Sequence, residues 1–143
     1  MNFRNHCFIL LLSSSLFFGK FSYSQQREDL IGDWNIIKVE LVANSKQIDK
    51  QLLEMATPIF LKSTFHFKDN KIFSFDSPNN ELAIKEAIWE FDNKKNYITV
   101  FERVSKGIPG MLMGIIVKAQ GGKYFFILEE SPLILTVEKK WQL

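Results

Sequence analysis

The stretch "LIGDWNIIKVEL", residues 30–41, decides the fold. Gly32 stands two residues before Trp34, and apolar and polar side chains alternate from Trp34 onward. Such alternation is typical of a strand with one buried face. A glycine that leads into a strand indicates a bend or a close approach of the backbone. We therefore predict a bend or a close backbone approach at Gly32, and a Trp34 side chain that points into the core which this strand helps to close.

The residues ahead of this stretch have the three parts of a secretory signal peptide. Arg4 precedes an apolar segment over 7–18, and Ser22 and Ser24 occupy the −3 and −1 positions of a cleavage site. The apolar segment is about 12 residues long, whereas a bilayer crossing needs ~20. We predict that residues 1–24 are cleaved, that the protein is exported to the periplasm or beyond, and that 25–143 form the mature domain. A retained membrane anchor is the alternative.

The charge and the cysteine content of the mature chain limit the functions that it can have. Without Arg4 and Lys20, 16 basic residues face 16 acidic ones, and no block of Lys or Arg stands out. This balance does not support binding to nucleic acid or to an anionic membrane surface. The single cysteine, Cys7, lies in the leader, ahead of most of the apolar segment, so it is poorly placed for lipid attachment. The mature chain therefore has no thiol chemistry, and its length suits one domain and a monomer.

The first strand is followed by a segment with helical periodicity. Ile48, Leu52, Met55 and Ile59 fall on one face of a helix over 48–60. Pro58 lacks a backbone donor, so we predict a break or a second short turn there. The apolar face is expected either to pack on the core or to form a lid over a site, and the sequence leaves both open.

The rest of the chain alternates with a period of two and is divided by turn residues. No βαβ pattern appears, so we predict an antiparallel sheet. Consecutive hairpins favour an up-and-down barrel, which removes exposed edges, over a two-layer sandwich. The fold class is therefore all-β, an eight-stranded barrel with a short helical insertion after the first strand. The predicted strands are 33–42, 63–68, 71–76, 85–92, 96–104, 111–120, 123–130 and 133–141.

Several of these segments resemble a known family. Gly32-Asp33-Trp34 resembles the G-x-W motif that opens the first strand of lipocalins and of the wider calycin group, which includes fatty-acid-binding proteins. The segments "FHFKDNKIFSF", "AIWEFDNKKNYITV" and "YFFILEESPLILTVE" are similar to hairpins of secreted bacterial lipocalin-like proteins. The resemblance covers 28–141. Gly121-Gly122 stands where typical lipocalins have T-D-Y, and this departure argues against a standard transport lipocalin.

The resemblance implies that Trp34 closes the floor of the barrel and that a ligand binds inside the barrel. Trp34 would plug the base of the barrel beside a basic residue of the last strand, which falls at Lys139 or Lys140. The partner would be a small hydrophobic molecule, such as a fatty acid or lipid, bound inside the barrel. Gly32, Trp34 and Lys139 would form the floor motif.

The alternation predicts which side chains face the barrel interior. An eight-stranded barrel is just wide enough to be filled by side chains or to hold one small ligand. A cavity of ~300 Å³ or more would favour the ligand. A closely packed interior would favour a protein-interaction or envelope-structural module without a ligand. The predicted ligand-contacting residues are Phe65, Phe67, Phe75, Trp89, Phe91, Ile98, Val100, Met113, Ile115 and Phe126.

The sequence offers little for catalysis. His66 alternates with Phe65 and Phe67, so it faces outward as an exposed strand residue. The acidic residues mostly alternate with apolar ones or lie at strand ends, and no nucleophile stands beside a base. We predict no enzyme activity, no metal and no cofactor.

A carboxylate ligand would need a cation near the mouth of the barrel. Arg103 and Lys118 are the candidates, and the alternation places both on the outer face. The loop over 105–114 is expected to be either an apolar rim of the mouth or a plain connection.

Overall fold

The computed structural model describes residues 25–44 and 46–141, so the predicted signal peptide lies outside the described residues. Within these residues, two helices and eight strands follow one another. The helices are α1, Arg27–Leu30, and α2, Gln47–Phe60. The strands are β1 Gly32–Leu41, β2 Thr64–Phe67, β3 Ile72–Asp76, β4 Ile84–Asp92, β5 Tyr97–Glu102, β6 Met111–Gln120, β7 Lys123–Leu128 and β8 Leu133–Lys140.

The strands form a closed antiparallel barrel in sequence order, with β8 paired to β1. The predicted up-and-down barrel with a helix after its first strand is therefore confirmed, and the sandwich alternative is wrong. β1 carries a bulge between Ile36 and Lys38. Because of this bulge, Ile36 and Val39 are both buried although they are three residues apart.

The barrel has two distinct ends. At the floor lie α1 and the turns over 68–71, 93–96 and 121–122. At the opposite end, which we call the α2 end, lie α2 and the loops over 77–83, 103–110 and 129–132. Consecutive antiparallel strands place alternate connections at opposite ends, so this division follows from the up-and-down order.

The middle of the barrel is occupied by aromatic rings from five strands. The Phe65 ring centroid lies 4.7 Å from that of Phe75 and 5.4 Å from that of Phe126. Phe67 packs on Trp89 at 5.1 Å, with the two rings nearly perpendicular. Side chains from β1, β2, β3, β4 and β7 thus fill the interior at this level.

The floor is built around Trp34. Its indole Nε1 donates a hydrogen bond to the Leu30 carbonyl oxygen at 2.9 Å, and Lys139 Nζ lies 5.2 Å from its ring centroid. Gly32 has a φ of 137°, and a Cβ there would lie 3.3 Å from Lys139 Cε. Gly32 therefore provides a backbone conformation that other residues rarely adopt and leaves room for the lysine stem.

The short helix α1 completes the floor, and the sequence analysis did not predict it. Leu30 is fully buried, and Arg27 stacks over the Trp89 ring at 4.7 Å while donating to Asp69 Oδ1 at 3.1 Å. Four helical residues are too few to show a 3.6-residue period, so the sequence contains no periodic signal for this element.

Helix α2 departs from its prediction in two respects. It continues through Pro58 to Phe60, so the predicted break is wrong. Pro58 removes one hydrogen bond from the helix, the one that its N–H would have donated to the Glu54 carbonyl oxygen. Beyond it, Leu61 N–H still donates to Thr57 O at 3.0 Å and Ser63 Oγ donates to Ile59 O at 2.8 Å.

The orientation of α2 is also different from the predicted one. Ile48 and Met55 of the predicted inward face are 76% and 72% exposed, whereas Ala56 and Phe60 are buried. Leu53 packs against the core from the same side. The helix is therefore rotated relative to the predicted stripe.

Candidate functional site

An apolar cavity of about 370 Å³ opens at the α2 end of the barrel. It lies between α2, β3, the loop over 77–83, β6 and the β7–β8 connection. Ten of its eleven lining residues are apolar, and Ser131 is the exception. We call this cavity the apolar chamber; its walls are Leu52, Met55, Ala56, Ile59, Phe60, Phe75, Leu82, Met113, Leu128, Ser131 and Leu133.

The chamber owes its shape to the way α2 rests on the barrel. Phe60 packs against Phe75 with ring centroids 6.1 Å apart, which fixes the end of the helix to β3. Phe75 and Leu133 are almost fully buried and form the bottom, whereas Leu52 and Met55 are exposed at the outer wall. The last turn of α2 therefore packs on the core, and Leu52 and Met55 from its middle turns line the outer wall of the chamber. A lid role for the helix stays a prediction.

A smaller pocket of about 140 Å³ lies near the chamber, on the outer face of β6. The two share Met113, Leu128 and Ser131. The smaller one also has two carboxylates in its walls, and we call it the acidic annex. Its lining residues are Leu112, Met113, Gly114, Leu128, Glu129, Glu130 and Ser131.

The annex is organised by a hydrogen bond that crosses β6. The Tyr97 hydroxyl donates to Glu129 Oε2, and both groups lie directly over Gly114. Any Cβ at position 114 would collide with the two side chains, so only glycine permits the contact. Burial, followed by the hydrogen bond and charge of Glu129 and the charge of Glu130, raises the pKa of Tyr97 to about 12.

The predicted ligand-contacting residues are divided between the core and the chamber. Phe75 and Met113 line the chamber. Phe91 is partly buried and packs against the core. A ligand role for the set stays a prediction. The remaining seven are buried in the barrel core: Phe65, Phe67, Trp89, Ile98, Val100, Ile115 and Phe126.

Sequence reasoning missed most of the chamber wall. Six of the eleven lining residues belong neither to the predicted contacts nor to the predicted helix stripe: Ala56, Phe60, Leu82, Leu128, Ser131 and Leu133. Two signals were usable: the strand alternation that predicted Phe75 and Met113, and the helical stripe over 48–60, which contains the lining residues Leu52, Met55 and Ile59.

A larger groove of about 560 Å³ lies beside the floor. Its walls mix aromatic and charged side chains, including Trp34, Tyr124, Lys139, Glu28 and Asp29. It also borders Trp141, where the described part of the chain ends. A groove with both aromatic and charged side chains does not favour one class of ligand. The apolar chamber is therefore the candidate site, although its volume is smaller.

The two candidate cations point away from the chamber. Arg103 Nη1 pairs with Glu86 Oε2 at 3.2 Å on the outer surface. Lys118 is exposed on β6 toward the floor, opposite Phe125 of β7. Neither lines the chamber or the annex.

His66 faces outward as predicted, and it is held between two carboxylates. Its Nδ1 lies 2.7 Å from Asp33 Oδ1, and its Nε2 lies 2.8 Å from Asp76 Oδ2. Partial burial lowers the pKa of His66, but the hydrogen bonds and charges of Asp33 and Asp76 outweigh it and raise the pKa above 6.5. The protonated ring donates to both carboxylates and links β1, β2 and β3.

This cluster predicts a pH-dependent contribution to stability. The folded pKa of His66 lies above the unfolded value near 6.5, so its stabilisation is fully present below about pH 6.5 and is lost as pH rises through the raised pKa. We expect the free-energy difference of unfolding between wild type and His66→Gln to shrink over that window. Urea unfolding across a pH series measures it. A difference that is constant or grows with pH would contradict the prediction.

Across 25–44 and 46–141, no group of three His, Cys, Asp or Glu side chains is arranged to hold a metal ion. Within the same ranges, no helix has the length and hydropathy required to cross a bilayer.

Comparisons with known proteins give one structural likeness. No family model and no curated protein matches this chain. The chain is similar to the crystal structure of a DUF4847 family protein from Bacteroides vulgatus, with a TM-score of 0.48 and 13% sequence identity. The alignment covers 81% of this chain and 99% of that one.

Proposed function

We propose that this chain is an exported, lipocalin-like protein that binds a small hydrophobic molecule in the apolar chamber. The observation that carries the proposal is the chamber itself, a cavity of about 370 Å³ with ten apolar residues among its eleven lining residues. Small-molecule sites are concave, mostly apolar cavities of about 300–1,000 Å³ with few polar groups. The pattern of a signal peptide at residues 1–24 supports the proposal of export.

Binding would be driven by burial of apolar surface on both partners. Apolar area removed from water is worth about 25 cal/mol per Å² before the costs of ordering the ligand. Met55 and Met113 suit such a wall because unbranched thioether side chains adapt to ligands of different shape. Because Met55 is exposed at the outer wall, the ligand would enter the chamber beside α2.

The proposed site lies at the end of the barrel and not at its centre. Rings from five strands pack together in the middle, which is the feature expected of a protein-interaction or envelope-structural module. The chamber above them is the feature expected of a ligand-binding protein. The module remains the second candidate, and the two differ in whether an apolar molecule enters the chamber.

A series of straight-chain alcohols tests the proposal on the mature protein, residues 25–143, purified without detergent. We expect the affinity measured by isothermal titration calorimetry to rise with chain length, by up to about fourfold per methylene. The rise should stop when the chamber is full. Each methylene takes about the volume of a water molecule, ~30 Å³, so the limit falls near a dozen carbons. Absence of binding at every length would favour the interaction module.

A filling substitution locates the binding. Ala56 is buried and lines the chamber, so Ala56→Phe should occupy part of the space and weaken dodecanol binding at least about tenfold. Ala119→Phe is the matched control, because Ala119 is exposed on β6 toward the floor. Equal affinities of the two variants would place the alcohol elsewhere. If Ala56→Phe does not fold, the chain-length limit in the wild type decides the question.

A further inference from the structure

The wall of the apolar chamber contains no charged group. Of the described residues, eleven line the chamber, and none of the eleven is Lys, Arg, His, Asp or Glu. A carboxylate or an ammonium group loses its water shell when it is buried, and only an opposite charge or several hydrogen bonds compensate for that loss. The chamber wall offers neither a cation nor an anion as compensation.

The one polar side chain in the wall takes part in the turn between β7 and β8. Ser131 Oγ accepts a hydrogen bond from the Leu133 N–H at 3.2 Å, and the Ser131 N–H donates to the Leu128 carbonyl oxygen at 3.2 Å. At the bottom of the chamber, the side chains of Phe75 and Leu133 present only hydrocarbon. A polar group of a ligand there would lose its hydrogen bonds to water without gaining a partner.

The charged side chains considered for a ligand lie outside the chamber. Arg103 is paired with Glu86 on the outer surface, and Lys118 is exposed toward the floor. The carboxylate of Glu129 lies over Gly114 on the outer face of β6, across the sheet from the chamber, and its sign opposes a second carboxylate. A fatty-acid carboxylate would therefore find no cation in the wall of the chamber.

The packed interior of the barrel confines a ligand to the chamber. Phe75, at the bottom, packs on Phe65 with ring centroids 4.7 Å apart, and Phe65 packs on Phe126 at 5.4 Å. These rings occupy the space into which a longer chain would have to extend. The ligand is therefore limited to about a dozen carbons, at ~30 Å³ for each methylene.

We propose that the chamber takes an uncharged molecule made almost entirely of hydrocarbon, without a carboxylate, phosphate or ammonium group. This inference rests on the proposed function and specifies its ligand class. It replaces the fatty acid that the lipocalin-like resemblance implies with a neutral molecule. The reason is the wall itself, in which an apolar surface gains from burial and a charge has no partner.

Four probes with one ring system separate the effect of charge from that of apolar area. 2-Methylnaphthalene, 2-naphthol, 2-naphthoate and 2-naphthylmethylammonium are added to the mature protein near pH 7, where the acid and the amine are both ionised. Equilibrium dialysis measures each affinity. We expect 2-methylnaphthalene to bind most tightly, 2-naphthol at least about fivefold more weakly, and both ions at least about thirtyfold more weakly.

An introduced cation tests the reason for this order. Leu82 is exposed at the rim and lines the chamber, so Leu82→Lys adds an ammonium group without burying it. It should strengthen 2-naphthoate binding at least about tenfold and change 2-methylnaphthalene binding less than about threefold. The control is Leu61→Lys, which adds the same charge at an exposed position of the α2 end that does not line the chamber. It should leave both affinities unchanged.

The outcomes separate this inference from the proposed function. If either ion binds the wild type as tightly as 2-methylnaphthalene, and Ala56→Phe weakens that binding, the inference about the ligand class is wrong and the site stands. Met55→Lys places a cation at another exposed position of the wall. If neither lysine variant strengthens 2-naphthoate binding, the inference is also wrong. If no probe binds, or if Ala56→Phe leaves every affinity unchanged, the proposed function fails with it.

Discussion

Replacement of Trp34 by alanine is expected to lower the free energy of unfolding by about 3–5 kcal/mol, the range measured when large aromatic residues are truncated in protein cores. Trp34 is 2% exposed, and its ring packs against Tyr124 and Phe126 at centroid distances of 4.8 and 5.6 Å. The substitution also leaves the Leu30 carbonyl without the indole donor and removes the ring beneath Lys139. Urea unfolding followed by circular dichroism measures the effect.

Trp141 supplies the matched control for this experiment. It is 79% exposed, so Trp141→Ala should change stability by no more than about 0.5 kcal/mol. Similar losses at the two positions would show that Trp34 does not close the floor. If Trp34→Ala does not fold, Trp34→Phe retains a ring and loses the hydrogen bond to Leu30. Its expected cost is then about 1–3 kcal/mol.

Replacement of Phe126 by alanine is expected to have a similar effect at the centre of the barrel, again about 3–5 kcal/mol. Phe126 is fully buried, and its ring contacts Trp34, Phe65 and Phe67 at centroid distances of 5.6, 5.4 and 5.9 Å. Truncation should leave an apolar cavity in the packed interior. Such cavities stay dry and bind benzene or xenon.

The cavity allows a second measurement besides stability. Benzene should raise the melting temperature of Phe126→Ala and partly offset the lost stability, because it binds only the folded state. Phe125→Ala is the control, since Phe125 lies one residue away on the opposite, only partly buried face of β7. It should lose less than half as much stability and respond to benzene no more than the wild type does. A wild-type barrel that gains as much from benzene as Phe126→Ala does would contradict the packed interior.

The order of the strands and the identity of the core could be predicted because both depend on local patterns. Period-two alternation marks the strands, and turn residues mark the hairpins between them. The same alternation predicts inward side chains, and Phe65, Ile98 and Phe126 are indeed buried. The bulge in β1 could not be predicted in this way. It shifts the inward and outward alternation of β1 by one residue, so that Val39 is buried, and no local sequence pattern indicates it.

The helical segments were predicted less well, because the elements packed around a helix decide which of its faces is buried. The apolar residues of α2 occur at Ile48, Leu52, Leu53, Met55, Ala56, Ile59 and Phe60, which is wider than a single stripe. Several rotations of the helix would bury a similar set. The barrel selects the rotation in which Phe60 meets Phe75 and leaves Ile48 exposed.

By itself, the sequence determined an eight-stranded barrel whose first strand opens with a glycine and a buried tryptophan, since backbone hydrogen bonding and burial act through residues that are neighbours along the strand. The place of these two residues at the floor was implied by the lipocalin-like resemblance. Only the tertiary structure decided where a ligand could bind. The chamber and the annex bring together α2, β3, β6 and the β7–β8 connection, segments separated by up to 80 positions between Leu52 and Leu133. A cavity is the space that packed elements leave between them, so its position and charge depend on how distant segments meet.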